Sequence, residues 1–511
     1  MPSVNVEPAA SPAPATSPVG WQSWRPALRE STVPLLILRW IGLAAVILAA
    51  FHQTFVSVAQ TIVAGSFNGY LLLIPITTAI AAMGVAHRER VELPIHDRQT
   101  DIIVGVLGLA GAVLIQSVLL PRYVLYFQLL RLDLATLWVF TLSTSVILFG
   151  LRPVVRFAWV WVLLAASFPL SYQLLVIAFG GNRASTGMAS LLIAALATAV
   201  AFGRSRNRAT LGAAATTLVG LFLLAVMAVV TPDAPLPVFQ VVPAAVGMAL
   251  VGMWLFFYAR RGMSSKRLLY RKLEPVAARQ VMAGIPLVLA AAVAIAMVPL
   301  PPTLTPIPPA PPIAVKQPMA EPVGWHQVEK SDYPWVRRLY GRDADLVRQR
   351  FVADVGNPAW DKFGRPRTVI VDSTSTWRPF LLKVYTPTVL YDQSSSRVSD
   401  PVEIDLGRGV RGSMYTVVDD GRLLTYNLIT WIWGNASVAQ RVMVAAVDNH
   451  EDTMVFPPPT GGLGPTLRIM VTAFFRGNQA TWDSDPSFKD ADLLTEFGRG
   501  LVDAQWRRGS A

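Results

Sequence analysis

Between about residues 33 and 299 the chain alternates long apolar runs with short polar breaks; beyond about residue 320 that alternation stops. Nine runs approach the roughly 20 residues that a hydrocarbon core requires. They lie at about 33–58, 67–86, 102–120, 134–150, 154–178, 186–203, 211–230, 238–258 and 281–299. Only Leu151, Arg152 and Pro153 separate the fourth from the fifth. Prolines such as Pro75 and Pro169 are tolerable there, because packed neighbours can satisfy the backbone groups they free. The pattern predicts an α-helical polytopic membrane domain of about nine transmembrane helices over residues 31–299. Residues 1–30, rich in Pro, Ala and Ser without apolar period, read as a disordered cytoplasmic tail rather than a cleavable signal.

Residues 300–319 are Pro-rich and read as a stiff, extended spacer. Residues 320–511 carry an α+β pattern. Strands are expected at Val369–Val371, Phe380–Tyr391, Val402–Leu406, Val410–Val418 and Leu423–Trp433, the last two joined by an Asp419-Asp420-Gly421-Arg422 hairpin signal. Leu493, Leu494, Phe497, Leu501 and Val502 share one face of a closing amphipathic helix over about Asp490–Trp506. The spacer reading implies that this domain folds independently.

Composition places the chain in a membrane: 53% of its 511 residues are hydrophobic and 15% charged. Its lack of cysteine excludes disulfides, thiolate metal sites and a cysteine nucleophile. The net charge of +12 would suggest nucleic acid, but the basic residues map onto alternate loops. Arg25 and Arg29, Arg88 to Arg98, Arg152 and Arg156, Arg204 to Arg208, and Arg260 to Arg279 fall on one side; Arg122, Arg131 and Arg183 fall on the other. The positive-inside rule then gives a cytoplasmic N-terminus, an extracytoplasmic C-terminal domain and no nucleic-acid partner. The basic 260–279 loop reads mainly as topology, with a cytoplasmic partner such as anionic lipid headgroups as the alternative.

Local motifs are sparse. The five histidines show no metal-ligand spacing, and His450-Glu451-Asp452 reads as a solvated loop. Gly461-Gly462-Leu463-Gly464 lacks the Lys-Ser/Thr of a phosphate loop. No cofactor is expected. Tyr426–Trp433 reads as a half-buried strand, with a sugar- or lipid-facing platform as the alternative. Polar residues of the helical domain gather at its outer side: Asn68, Arg131, Asp133, Asn182, Arg183, Ser185 and Gln240. Such groups are costly near a bilayer, so their clustering marks a candidate ligand site in a cavity that Ser185 faces.

Three stretches resemble the exosortase/archaeosortase family of polytopic membrane transpeptidases. Ser66-Phe67-Asn68-Gly69-Tyr70-Leu71, running into Ile74-Pro75, is similar to the family's Ser-His-Gly-Tyr-like lead-in to an early helix. Phe168-Pro169-Leu170 is similar to its Phe-Pro element, and Ala184-Ser185-Thr186-Gly187-Met188-Ala189-Ser190 to the Ala-Cys-Ser-Gly-Leu-Arg-Ser stretch bearing the nucleophile. The C-terminal domain resembles the periplasmic domain that accompanies exosortases. The departures are specific: Ser185 replaces the cysteine, Thr216–Thr231 offers no counterpart to a later arginine, and Gln240 stands where a histidine is implied. Glutamine cannot act as a general base at neutral pH.

The resemblance thus implies a multi-pass protein of the bacterial cytoplasmic membrane that binds or positions an envelope component without cleaving it. Membrane lipids, an envelope lipid, glycan or protein tail, and a membrane protein partner are the partners this reading implies. Two alternatives stand beside it. One is a transpeptidase or peptidase with Ser185 as nucleophile and catalytic residue. The other is a transporter or channel subunit, which the scarcity of intramembrane carboxylates disfavours.

Overall fold

The computed structural model describes residues 32–88, 98–203, 205–260, 284–302, 317–393, 396–434, 437–451 and 485–510, with 454–460, 464, 467–468, 471 and 483. The tail, most of the basic 260–279 loop, residues 303–316 of the spacer, and Gly461 to Leu463 lie outside these.

The helical part comprises α1 (Thr32–Ala50), α2 (His52–Val63), a 3-10 segment (Phe67–Leu72), α3 (Leu73–Ala86) and α4 (Arg98–Arg122, with a π turn at Ile115–Leu119). It continues through the short α5 (Phe127–Leu130), α6 (Leu132–Phe149), α7 (Leu151–Arg156), α8 (Ala158–Ala165), α9 (Pro169–Ala178), α10 (Arg183–Phe202), α11 (Arg206–Val230), α12 (Leu236–Arg260) and α13 (Ile285–Ala296). Among the described residues, six helices are long and apolar enough to cross a membrane. Two bent pairs would raise that to eight.

The bends fall inside the first and fifth expected spans. The first run breaks by 69° between α1 and α2, and the fifth by 67° between α8 and α9, where Pro169 has no N–H to continue the preceding helix. Among the described residues the ninth run forms the 12-residue α13.

Helix α10 packs against α3, α11 and α12. Its buried face is made of small residues, including Gly187, Ala189, Ser190, Ala194 and Ala197, which let neighbouring backbones approach. A methyl group on Gly187 would lie 2.6 Å from Leu224 Cδ1 and 2.9 Å from the Phe239 carbonyl. Phe51, Phe140, Ile147, Val288 and Ile295 join α1, α4, α6 and α13 in a second cluster.

The C-terminal part is an eight-stranded antiparallel sheet: β1 (Trp325–Asp332), β2 (Asp345–Ala353), β3 (Thr368–Thr376), β4 (Arg397–Val398), β5 (Val402–Asp405), β6 (Arg411–Asp419), β7 (Leu424–Gly434) and β8 (Ala439–Val447). Their order is β1-β2-β3-β8-β7-β6-β4, with β5 also paired to β6. The β6–β7 hairpin turns on Asp419, whose Oδ1 accepts from the N–H groups of Gly421 and Arg422 at 3.0 and 3.1 Å.

Phe380–Tyr391 is not a strand. It forms two helical turns, Leu381–Val384 and Pro387–Leu390, the second started by a proline at its first position. Periodicity alone does not distinguish a short unbroken apolar run in a strand from one in a buried helix.

One sheet face is covered by the terminal helix α14 (Ala491–Ser510; the short helical turns of this domain are left unnumbered), through Leu493, Leu494, Phe497, Leu501 and Val502. Its other face carries Leu346, Ile370, Tyr426, Leu428 and Met443, and these belong to the same apolar cluster as Phe67, Tyr70, Leu130 and Tyr172 of the helical part. The two parts therefore share a core. Strand β7 is buried on both faces, with Tyr426 and Leu428 on one and Ile429, Trp431 and Trp433 on the other. Its aromatic residues are core residues rather than an open platform.

Candidate functional site

Five of the seven candidate residues are buried: Asn68, Arg131, Asp133, Ser185 and Gln240 are each 2% exposed or less. Asn182 is exposed and Arg183 half-buried. They form three connected arrangements rather than one pocket.

The first lies around Arg131, whose backbone is left-handed (φ 45°, ψ 56°) between α5 and α6. Its Nε and Nη2 donate to the two carboxylate oxygens of Asp133 at 3.0 and 2.7 Å, and its Nη1 donates to Ser57 Oγ at 3.1 Å. Both charged side chains are fully enclosed. A bidentate pair of this kind retains its charges in a dry site only because each partner neutralises the other.

Ser57 stands four residues before Thr61 on α2, so both point to one side. Thr61 Oγ1 accepts from Asn68 Nδ2 at 3.1 Å, and this links the first arrangement to the second. Beside Ser57, an open cavity of about 310 Å³ is lined by His52, Gln53, Val56, Gln60 and Leu300–Pro302.

The second arrangement centres on two tyrosines. The rings of Tyr70 and Tyr172 stack with centroids 3.8 Å apart. Tyr70 Oη donates to the Ser167 carbonyl at 3.1 Å, and Tyr172 Oη donates to that of Thr186 at 2.8 Å. Gln240 Nε2 donates to Tyr172 Oη at 3.1 Å and to the Phe67 carbonyl at 2.7 Å; Ser190 Oγ is also 3.1 Å from that hydroxyl. Gly69 lets this segment approach closely, since a methyl group on it would displace Gln240 Oε1 and crowd Pro237. Gln240 thus ties α12 to α9 and to the turn before α3.

Ser185 belongs to the third arrangement, the start of α10. Asn182 is extended and caps the helix, its Oδ1 accepting from Ser185 N at 2.7 Å, while Ser185 Oγ accepts from Asn182 N at 3.3 Å. This is a reciprocal capping box. The Ser185 hydroxyl proton is directed to the Phe179 carbonyl (2.6 Å) and Asn182 Oδ1 (2.8 Å), and the side chain faces these groups rather than an open cavity. Gly180 and Gly181, at φ 104° and 74°, end α9 with N–H bonds back to Ile177 and Val176. A methyl group on Gly181 would collide with the backbone of Arg338, so the C-terminal domain sits directly on this turn.

Comparison with protein-family models, curated proteins and solved structures finds no match to this chain. The site is therefore read from its own geometry.

Sequence reasoning missed Tyr172, Ser57 and Thr61, which hold the candidate residues in place. It also missed a polar spine in the C-terminal domain. There Arg348 makes a bidentate pair with Asp372 (2.8 and 2.7 Å), and Tyr391 Oη donates to the same carboxylate at 2.5 Å. Burial, and then the Asp372 charge, push the Tyr391 hydroxyl well above its ordinary value. Nearby, Arg441 donates to the carbonyls of Leu382 and Tyr385. His450 is half-buried in its loop, between exposed Asn449 and Glu451, and its Nδ1 lies 2.6 Å from the buried Asp361, which also pairs with Arg365.

Proposed function

We propose that the chain is an exosortase-like membrane protein that retains the arrangement of that family and has lost its chemistry. It binds or positions a component of the bacterial cell envelope at the outer leaflet of the cytoplasmic membrane. The N-terminus is cytoplasmic, and the C-terminal domain stands outside on the ends of the helices. The observation that carries this reading is the state of Ser185: its hydroxyl proton is directed to Phe179 and Asn182, and among the described residues no basic side chain hydrogen-bonds to it. A serine becomes a nucleophile only with an adjacent base or a strongly lowered pKa. The Gln240 amide, in the place where the resemblance implies a histidine, serves as a structural tie.

The test uses the purified full chain and a fluorophosphonate probe. No label is expected at Ser185, while a photo-crosslinker at Asn182 captures a lipid, glycan or protein tail from cells. Labelling at Ser185 that disappears in Ser185→Ala would replace this reading with an acyl transferase or peptidase. Orientation is tested separately by Asp420→Cys in the exposed β6–β7 turn, the chain being otherwise free of cysteine. An impermeant maleimide should label it without lysis in cells whose outer face is accessible; labelling only after lysis would reverse the topology.

A further inference from the structure

One arginine from each part of the chain lies near the place where the C-terminal domain rests on the helices. Arg183 opens α10, and its Nη1 donates to the carbonyls of Pro232 (2.6 Å) and Ala234 (3.4 Å), contacts that fix the side chain without neutralising it. Arg378 follows β3. Its Cζ stands 5.8 Å from the centroid of the Phe67 ring, and its Cδ and Nε lie 3.5 Å from where a methyl group on Gly341 would be. Arg378 Nη1 is buried and has no hydrogen-bond partner among the described residues.

The docking brings their segments together: the Arg338 backbone touches Gly181, two residues before Arg183, and Gly341, three residues after Arg338, lies against Arg378. Arg338 and Arg342 are exposed in the adjoining segment, as is Asp343. Burial, and next the Arg183 charge, push the Arg378 guanidinium below its ordinary value, with Asp343 pulling the other way. Two cations with unused donors in a partly desolvated junction oppose folding unless an anion joins them. A tetrahedral oxyanion suits them, since each guanidinium can present two parallel N–H groups to it. The positive end of the α10 dipole adds to the attraction.

The geometry points to an anion site at this junction, with Arg183 and Arg378 as its two forks and the phosphate of a lipid headgroup as its ligand. Arg183 begins one apolar helix of 20 residues and Phe67 begins another, so the pair stands at the polar ends of two candidate spans. Headgroup phosphates occupy that depth of a bilayer. The site rests on the membrane part of the proposed function and is independent of whether Ser185 reacts.

The full chain in detergent is tested by native mass spectrometry with added phosphatidylglycerol, and by thermal unfolding with and without inorganic phosphate. Arg183→Gln and Arg378→Gln should each weaken lipid retention about tenfold or more, the loss expected for a charge-assisted hydrogen bond. Arg378→Lys should keep part of it, and Arg411→Gln, at a distal exposed ion pair with Glu403, should keep all of it. In lipid-free detergent Arg378→Gln should raise Tm by removing the repulsion. A lowered Tm with unchanged lipid retention would leave Arg378 as a packing residue and overturn the site. Stabilisation by millimolar inorganic phosphate that both Gln variants lose, with equal lipid retention in all proteins, would overturn the lipid source in favour of the free ion. Serine labelling at Ser185 would sink the non-catalytic reading and leave this site standing.

Discussion

Tyr70 and Tyr172 lie face to face with their ring planes 8° apart, and their hydroxyls serve different helices. Tyr70 bonds to Ser167 at the α8–α9 bend, whereas Tyr172 meets Thr186, Ser190 and Gln240. Tyr172→Phe keeps the stack but leaves the Gln240 amide short of one acceptor and the Thr186 carbonyl short of a donor. A loss of about 1–3 kcal/mol is expected. Tyr172→Ala also removes the buried ring and should cost about 3–5 kcal/mol. Unfolding of the two variants in detergent checks the order; equal effects would show that the ring contributes nothing beyond its hydroxyl.

The second prediction concerns the boundary between the two parts. A domain on a spacer should fold alone, but Val336, Leu339, Tyr340, Leu381 and Tyr385 belong to one apolar cluster with Phe67, Tyr70 and Leu130. Expressed alone, residues 317–511 should expose part of that cluster and bind a hydrophobic dye, as large apolar patches seek cover. In the full chain Gly181→Ala should loosen the contact, and amide exchange should accelerate in 180–183 and 337–340 while the α14 face of the sheet is unchanged. A soluble, dye-silent isolated domain with a cooperative melt would restore the independent unit.

The helical runs were legible because bilayer length and apolar composition are written along the sequence. The bend at Phe51 was not, since no proline or glycine stands there and only the short polar stretch His52-Gln53-Thr54 follows it. In the C-terminal domain β6, β7 and the terminal helix could be read from alternation, turn residues and spacing. Strands β2 and β8 were hidden because they bury Arg348, Gln349, Gln440 and Arg441, so their polar letters imitate a loop. Their partners, Asp372 and the carbonyls of Leu382 and Tyr385, come from distant segments that a linear pattern cannot join. The same limit applies to the site: Ser185 and Gln240 are visible as polar letters, but only their acceptors reveal what they do.

Asp361 gives a pH prediction. The side-chain hydrogen bond from Arg365 holds its carboxyl at about 2, with burial opposing and the N–H groups of Arg365 and Phe363 assisting. An unfolded aspartate titrates near 3.9. Between these values the unfolded state binds more protons, so this stabilisation is complete above about pH 4 and fades as pH falls toward 2. The Tm difference between the wild type and Asp361→Asn should therefore shrink from pH 5 to pH 2. A constant difference would mean that Asp361 matters through shape and not charge.

The buried ion pair offers the sharpest test of what the helical core needs. Arg131 and Asp133 are both fully enclosed, and Ser57 is bonded to the guanidinium through a further contact at 3.1 Å. Removing one partner strands the other charge without water, a change that typically costs about 3–5 kcal/mol. Replacing both with apolar residues of similar size removes the desolvation cost along with the attraction, so it is far less harmful. Asp133→Asn should thus lower Tm strongly, whereas Arg131→Met with Asp133→Leu should recover most of it. The recovered double variant then separates packing from binding. If it folds normally and still captures the same envelope component through a crosslinker at Asn182, the pair is structural and binding belongs to the α10 end. Normal folding with capture lost would instead move the ligand toward Ser57 and the cavity beside α2.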